Sequence, residues 1–115
     1  MLTMSEIKKY RLEDFKGGWF IGDFEPSLIK SKDFEVSVKI HPKGEVWEKH
    51  YHKVSTEYNC VISGKVKING EVYKKNDIFV VKKNCVVDPT FIEDCTIVCI
   101  KIPSAKNDKF ILKKN

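Results

Sequence analysis

Hydrophobic and polar residues alternate over short segments of this chain, and turn-forming residues separate those segments. The clearest case is residues 33–40, DFEVSVKI, where apolar side chains occupy every second position. Such alternation predicts a half-buried β-strand, because successive side chains on a strand point to opposite faces. The pattern assigns Phe34, Val36, Val38 and Ile40 to the buried face.

Short segments with strand character recur along most of the chain. The predicted strands are residues 17–24, 33–40, 46–52, 57–63, 65–68, 77–81, 85–87 and 96–102. Asn69-Gly70, between short apolar segments, predicts a hairpin with a type I′ turn. No apolar pattern of helical period extends over ten or more residues. With the return strand of that hairpin and an edge strand or helical turn at residues 5–16, there are about ten short elements, and this spacing predicts an all-β sandwich or barrel.

One stretch combines the strand pattern with side chains that bind metals. Residues 44–64 read GEVWEKHYHKVSTEYNCVISG. His50 and His52 share one face of an extended segment, and a turn at residues 53–55 would return Glu57 beside them on an adjacent strand. Two imidazoles and a carboxylate are a typical ligand set for a divalent metal.

The same strand parity predicts which neighbours share that site. Glu48 is assigned to the side of the histidines, either as a general acid or base, as a partner of an imidazole, or as a surface acid beside Lys49. Trp47 and Tyr51 are assigned to the opposite side, where they would pack between sheets or subunits. His41 lies in a turn and is predicted to be exposed to solvent.

Length and composition are those of one soluble domain. The chain has 115 residues and a mass of 13.3 kDa, and no apolar run is long enough to span a membrane. We expect an N-terminal arm at residues 1–16, the domain at 17–103 and a C-terminal tail at 104–115. The first ten residues lack the pattern of a signal peptide, so we expect a cytoplasmic protein without membrane partners.

The charge pattern argues against a nucleic-acid partner. The formal net charge is +5, from 21 basic and 16 acidic residues. Arg11 is the only arginine, and the lysines are scattered among acids rather than clustered. Specific recognition of phosphates or bases favours clustered arginines, so we expect no binding to nucleic acid.

The four cysteines show no CxxC pair, and we expect them to be free thiols. Cys95 and Cys99 share strand parity, which places them in or just beneath the core. Cys85 is either an inert buried residue or a residue of the pocket near its mouth.

The spacing within residues 44–64 resembles the first motif of the cupins. That motif is Gly, five residues, His-x-His, three or four residues, Glu, six residues, Gly. Its fixed positions are held here by Gly44, His50, His52, Glu57 and Gly64. The chain is therefore similar to a small single-domain cupin over residues 17–103. The resemblance implies a jelly-roll β-barrel of two packed sheets, with a metal held inside by the two histidines, the glutamate and normally one further histidine.

The second cupin motif is degenerate in this chain. Aligning the chain with that motif places Asn76, Lys82, Asn84, Val87 and Phe91 on its Gly, Pro, Gly, His and Asn positions. The fourth histidine is thus absent, which leaves three ligands and open positions, as in non-haem iron or catalytic zinc sites. Alternatively, the metal is weakly held or lost, or another side chain completes the shell. The candidates are Asp88, Glu93, Cys85 and Glu48, although Asp88 before a proline is also a common start of a turn.

Two functions follow from the resemblance. The first is an enzyme that uses Fe, Zn, Mn or Ni to act on a small polar substrate, such as a sugar derivative or an organic acid, by isomerisation or oxygenation. The second is a non-catalytic cupin that binds a small ligand as a sensor or accessory protein. Small cupins are commonly homodimers. Trp19, Phe20 and residues 110–112 are the apolar residues that we expect a second subunit to bury.

Overall fold

The structure is a computed structural model that describes residues 1–112. It confirms an all-β protein with only two short 3-10 turns, at Leu12–Asp14 and Lys16–Gly18. The strands within the described residues are β1 (Trp19–Ile21), β2 (Glu35–His41), β3 (His50–Tyr51), β4 (Thr56–Ser63), β5 (Lys65–Ile68), β6 (Glu71–Lys74), β7 (Ile78–Val81), β8 (Pro89–Phe91), β9 (Cys95–Ile102) and β10 (Phe110–Ile111).

The strands form two layers of antiparallel sheet. One layer is a five-stranded sheet in the order β1-β2-β9-β4-β7. The other contains a three-stranded sheet, β6-β5-β8, and the pair β10-β3. Isolated pairings of Val46 with Thr90 and of His50 with Val87 join these two parts. The chain is therefore a β-barrel of two packed sheets, as the resemblance implies.

Turn residues adopt the backbone that their positions require. Asn69 and Gly70 both have positive φ, at 51° and 87°, which confirms the type I′ hairpin between β5 and β6. Gly64 has a φ of 79°, and a Cβ at this position would collide with the carbonyl oxygen of Asp94. Only glycine fits there, between β4 and β5.

The core lies between the two layers. Its buried side chains are Val61, Val66, Phe91, Cys95 and Ile97. Cys99 is also buried, which confirms the parity prediction for both cysteines of β9. Alternate residues of β4 and β9 thus fill the barrel interior.

The prediction for the faces of β2 was wrong. Glu35, Ser37 and His41 are buried, whereas Ile40 is 68% exposed. The strand alternates as expected, but its polar side faces the interior. The physical reason is that this side of β2 faces an internal cavity that Lys39 and His41 line.

The apolar side of β2 belongs to a larger surface on the outside of the five-stranded sheet, here called the outer face. It consists of the outward-pointing residues of four strands and contains no charged side chain. Its residues are Val36, Val38, Ile40, Thr56, Tyr58, Cys60, Ile62, Ile78, Val80, Thr96, Val98, Ile100 and Ile102. Many of them are substantially exposed, including Ile78 at 73%.

Within residues 1–112, no helix has the length and apolar character needed to cross a membrane.

Candidate metal and ligand site

A cavity of about 260 Å³ opens between the two layers at the end of the barrel where β3 lies. Its lining includes His41, Trp47, His50, His52, Glu57 and Lys101. The cavity therefore gathers the three ligands that the first motif predicts. Whether they bind a metal remains a prediction.

Both motif histidines are buried and neutral. The Nδ1–H group of His50 donates to the backbone carbonyl of Glu48 at 2.9 Å. A carbonyl only accepts, so the proton lies on Nδ1 and the Nε2 lone pair of His50 is left free. Burial lowers the pKa of His50, and burial also lowers that of His52 despite the nearby Glu57 carboxylate.

Asp108, on the C-terminal segment, holds the turn that places Glu57. Its carboxylate accepts the backbone N–H groups of Lys53 at 2.8 Å, Val54 at 3.1 Å and Ser55 at 2.9 Å. Burial raises the pKa of Asp108, but these hydrogen bonds outweigh burial and leave the pKa below its usual value. The turn predicted at residues 53–55 is present, although Glu57 returns on the opposing sheet rather than on an adjacent strand.

The C-terminal segment also forms one edge of the site. Strand β10 pairs with β3, setting Phe110 opposite Tyr51 and Ile111 opposite His50. The Phe110 and Tyr51 rings stack with centroids 5.5 Å apart. Lys109, just before β10, lines the cavity. Part of the predicted tail is therefore packed against the strand that carries the histidines.

A charged row extends from the cavity across the inner face of the five-stranded sheet. Glu35, Lys101 and Glu57 are neighbours on β2, β9 and β4. The Lys101 ammonium lies 3.7 Å from a carboxylate oxygen of each glutamate. Glu57 is also 4.0 Å from Nε2 of His52. One carboxylate thus faces both a lysine and an imidazole.

Sequence reasoning missed the lysines of this cavity. Lys39, Lys101 and Lys109 all line it. The pKa of Lys39 and that of Lys109 are both lowered, first by burial and then by Lys101. The available signal was Lys101, a single charged residue in the otherwise uncharged strand TIVCIKI.

The donor chemistry of the site fits a divalent ion, but the ligands are not gathered around one point. Two neutral imidazoles and a carboxylate are suitable ligands. Donors about 2.1 Å from one ion lie at most about 4.2 Å apart, and His52 and Glu57 meet this limit. Within the described residues, however, no group of three or more His, Cys, Asp and Glu side chains is arranged to hold a metal. The Lys101 ammonium would also compete with a metal ion for the Glu57 carboxylate.

The other candidate ligands lie elsewhere. Cys85 and Asp88 are exposed in the turn region before β8, and Glu93 is an exposed residue 3.7 Å from Lys65. Glu48 is exposed and contributes only its carbonyl, to His50. None of the four is among the residues that line the cavity.

The predictions for Trp47 and His41 were wrong. Trp47 lines the cavity, and its Nε1–H donates to Glu45 at 2.6 Å. His41 is buried, stacks on Phe91 with centroids 4.1 Å apart and lies 3.3 Å from Glu45. Regular pairing of β3 begins only at His50, so the strand parity assumed for Trp47 does not hold.

The region aligned with the second motif retains the backbone conformation of its turns, although the metal-binding histidine is absent. Val87, aligned with the missing histidine, lines the cavity and pairs with His50. Asn76 and Asn84, aligned with the two glycines, adopt left-handed conformations with φ of 73° and 68°. Asparagine tolerates that region better than most residues, so the turns survive without glycine. Cys99 also lines the cavity, but burial raises its pKa to about 12, so it is a neutral thiol.

Comparison with known proteins identifies the fold. No protein-family model and no curated protein sequence matches the chain. Several solved structures do match.

A conserved protein with a double-stranded β-helix domain from Klebsiella pneumoniae is 20% identical, with a TM-score of 0.65 over 95% of this chain and 100% of that one. KdgF from a Halomonas species is also 20% identical, with a TM-score of 0.59 over 67% of this chain and 74% of that one. The pirin YhhW from Escherichia coli, solved with nickel(II), is 16% identical, with a TM-score of 0.62 over 76% of this chain and 39% of that one. The fold is that of the cupins, a double-stranded β-helix.

Proposed function

We propose that this chain is a metal-binding cupin enzyme that acts on a small polar substrate, such as a sugar derivative or an organic acid. The observation that carries the proposal is the convergence of neutral His50, neutral His52 and Glu57 on one cavity. The similarity in fold to a nickel-bound pirin and to KdgF supports it. Isomerisation and oxygenation are the reaction types that we consider.

Each residue has a defined part in this proposal. His50, His52 and Glu57 would hold Fe, Zn, Mn or Ni, which when bound acts as a Lewis acid. The Glu48 carbonyl keeps the Nε2 lone pair of His50 available. We assign no proton transfer to the Glu48 carboxylate, because it lies outside the cavity. The cavity, at about 260 Å³, is slightly smaller than common ligand pockets, which indicates a small substrate.

The test is metal analysis of protein purified without a histidine tag. We expect about one divalent ion per chain in the wild type and at least a ten-fold loss in His50→Ala, because removing a ligand leaves only two. His41→Gln is the matched control, since His41 lines the same cavity but is stacked on Phe91. Wild-type protein without stoichiometric metal, or His50→Ala with undiminished metal, would contradict the proposal.

The contact between Lys101 and Glu57 favours a second candidate, a non-catalytic cupin that binds a small ligand without metal. An ammonium already neutralises the carboxylate that a metal would need. Thermal-shift measurements with candidate ligands, with and without added metal, separate the two functions. Ligand stabilisation that is the same with and without metal supports the binder.

We also propose that the protein is a homodimer and that the outer face forms its interface. Of the apolar features first considered, Trp19 lines the cavity and Phe110 stacks on Tyr51, so both are used within the chain. The outer face is uncharged on a chain of net charge +5, so it is the surface on which two copies meet without repulsion. In an interface with two-fold symmetry the same patch of each copy meets the other, so both sides of the proposed interface would be uncharged.

Val98→Glu, in the middle of β9, should convert the dimer to a monomer, because it buries an unpaired charge in the interface. Val72→Glu on β6 is the control, since Val72 is 47% exposed in the other layer. Sedimentation velocity at micromolar concentration measures both. A monomeric wild type, or a Val98→Glu variant that stays dimeric, would contradict the interface.

A further inference from the structure

Three lysines from three separate segments place their ammonium groups in the cavity, each against a tryptophan ring. Lys39 lies 5.1 Å from the ring centroid of Trp19 and 5.2 Å from that of Trp47. Lys101 lies 4.8 Å from the Trp19 centroid, and Lys109 lies 4.1 Å from the Trp47 centroid. Cation–π contacts hold these groups without neutralising them.

Two of these ammonium groups have no matching carboxylate. Among the described residues, Lys101 contacts Glu35 and Glu57, whereas neither Lys39 nor Lys109 has a carboxylate oxygen within 4 Å. Gathering like charges in a partly buried cavity is unfavourable unless something of opposite charge binds there. Neutral His50 and His52 add no compensating charge. The lysines and carboxylates that line the cavity are Lys39, Lys101, Lys109 and Glu57, since Glu35 contacts Lys101 from outside the lining, so the lining has an excess of about two positive charges.

Asn59 adds a second, independent indication of a ligand. It lies on β4, two residues after Glu57, and is 7% exposed. Its side chain lines the cavity, and its Nδ2 atom has no hydrogen-bond partner. Buried amide donors are normally satisfied, so this donor needs an acceptor, and a ligand bound against Asn59 in the cavity wall would supply one.

We propose that the cavity binds a small organic dianion, whose oxygen atoms accept from Lys39, Lys109 and the Asn59 amide. All three groups are donors, so the ligand must offer acceptors, and two unmatched ammonium groups call for two negative charges. At about 30 Å³ per water-sized group, the cavity admits roughly nine such groups, the size of a small acid. The inference rests on the proposal that this cavity is the ligand site, but not on the presence of a metal.

Trp19 and Trp47 provide a direct readout, because they are the only two tryptophans in the chain and both line the cavity. Metal-free protein is titrated with malonate, with glycerol phosphate and with the neutral analogue malonamide at constant ionic strength. We expect a saturable change in fluorescence with at least one of the two dianions and none with malonamide. The tighter dianion identifies carboxylate or phosphate as the preferred group.

Variants then test the donors. Lys39→Gln and Lys109→Gln should each weaken dianion binding by about ten-fold or more, as expected for the loss of a charge-assisted hydrogen bond. Lys75→Gln, an exposed lysine in a turn, is the charge-matched control and should bind like the wild type. Asn59→Asp has the same shape but carries a negative charge, so it should abolish binding. Thermal melts confirm that each variant is folded.

The inference is overturned if malonamide binds as well as malonate, if neither dianion saturates, or if Lys75→Gln weakens binding as much as the two cavity variants. His50→Ala separates this inference from the metal proposal. If the His50→Ala variant loses metal but binds the dianion as the wild type does, the dianion site is supported. If metal-free His50→Ala no longer binds the dianion, the assignment of the site to the lysines and Asn59 is contradicted.

Discussion

The two faces of the five-stranded sheet come from alternate residues of the same strands, yet their polarity is the reverse of the usual arrangement. The inner face carries the row Glu35, Lys101 and Glu57 beside the cavity and becomes apolar only further along, at Val61 and Ile97. The outer face has no charged side chain and remains largely exposed. The inner face near the mouth is therefore where we propose that a ligand binds, and the outer face is where we propose that a second copy packs.

The largest expected effect on stability concerns the turn at residues 53–55, which leads into β4 and its inner face. Asp108→Ala removes the acceptor of three backbone N–H groups, at roughly 1–3 kcal/mol for the buried donor of Ser55 and less for the partly buried donors of Lys53 and Val54. We expect a loss of about 2–5 kcal/mol in the free energy of unfolding, measured with urea. Asp108→Asn keeps one carbonyl acceptor and should lose clearly less. Equal losses in the two variants would show that the carboxylate does not hold the turn.

A matched pair on β9 tests the two faces directly. Ile97 is 7% exposed on the inner face and Ile100 is 37% exposed on the outer face. Ile97→Ala should lower the free energy of unfolding by about 2–4 kcal/mol at every protein concentration, because it leaves a cavity in the core. Ile100→Ala should cost less than about 1 kcal/mol in dilute protein and more as the concentration rises into the range of the dimer.

Denaturation with urea at two protein concentrations measures both variants. A cost for Ile100→Ala that is independent of concentration would indicate that the outer face is not an interface between copies.

The smallest expected effect is the pH dependence of the buried His41. Burial lowers its pKa in the folded state below the unfolded value of 6.5. The neutral form therefore contributes stability that is complete above about pH 6.5 and is lost as the pH falls through the folded pKa. Between pH 7 and pH 5 the wild type should lose more stability than His41→Gln, by less than about 1.4 kcal/mol per pH unit, the limit for one proton. Equal losses would contradict a neutral, buried His41.

Much of the fold was predictable because its signals are local. The alternation in residues 33–40 marked a strand, and Asn69-Gly70 marked a type I′ turn that the backbone angles confirm. The spacing from Gly44 to Gly64 indicated the barrel, and Gly64 is required by the close approach of Asp94. The three motif ligands were named from the sequence and do line one cavity.

The cavity's other residues were not predictable, because they depend on contacts between distant segments. Asp108 reaches the turn at residues 53–55, and Lys109 reaches the cavity because β10 pairs with β3. Trp47 enters the cavity because the chain before His50 is not a regular strand. No local pattern contains these contacts.

The sequence by itself determined the strands, the turns and the three ligands of the first motif, since periodicity and backbone preference act over a few residues. Only the tertiary structure decided which side of each strand is inside. Alternation divides a strand into two faces, but the packing of the opposite layer determines which of them is buried. In this protein that packing buries the polar side of β2 around a cationic cavity and leaves its apolar side on the outer face.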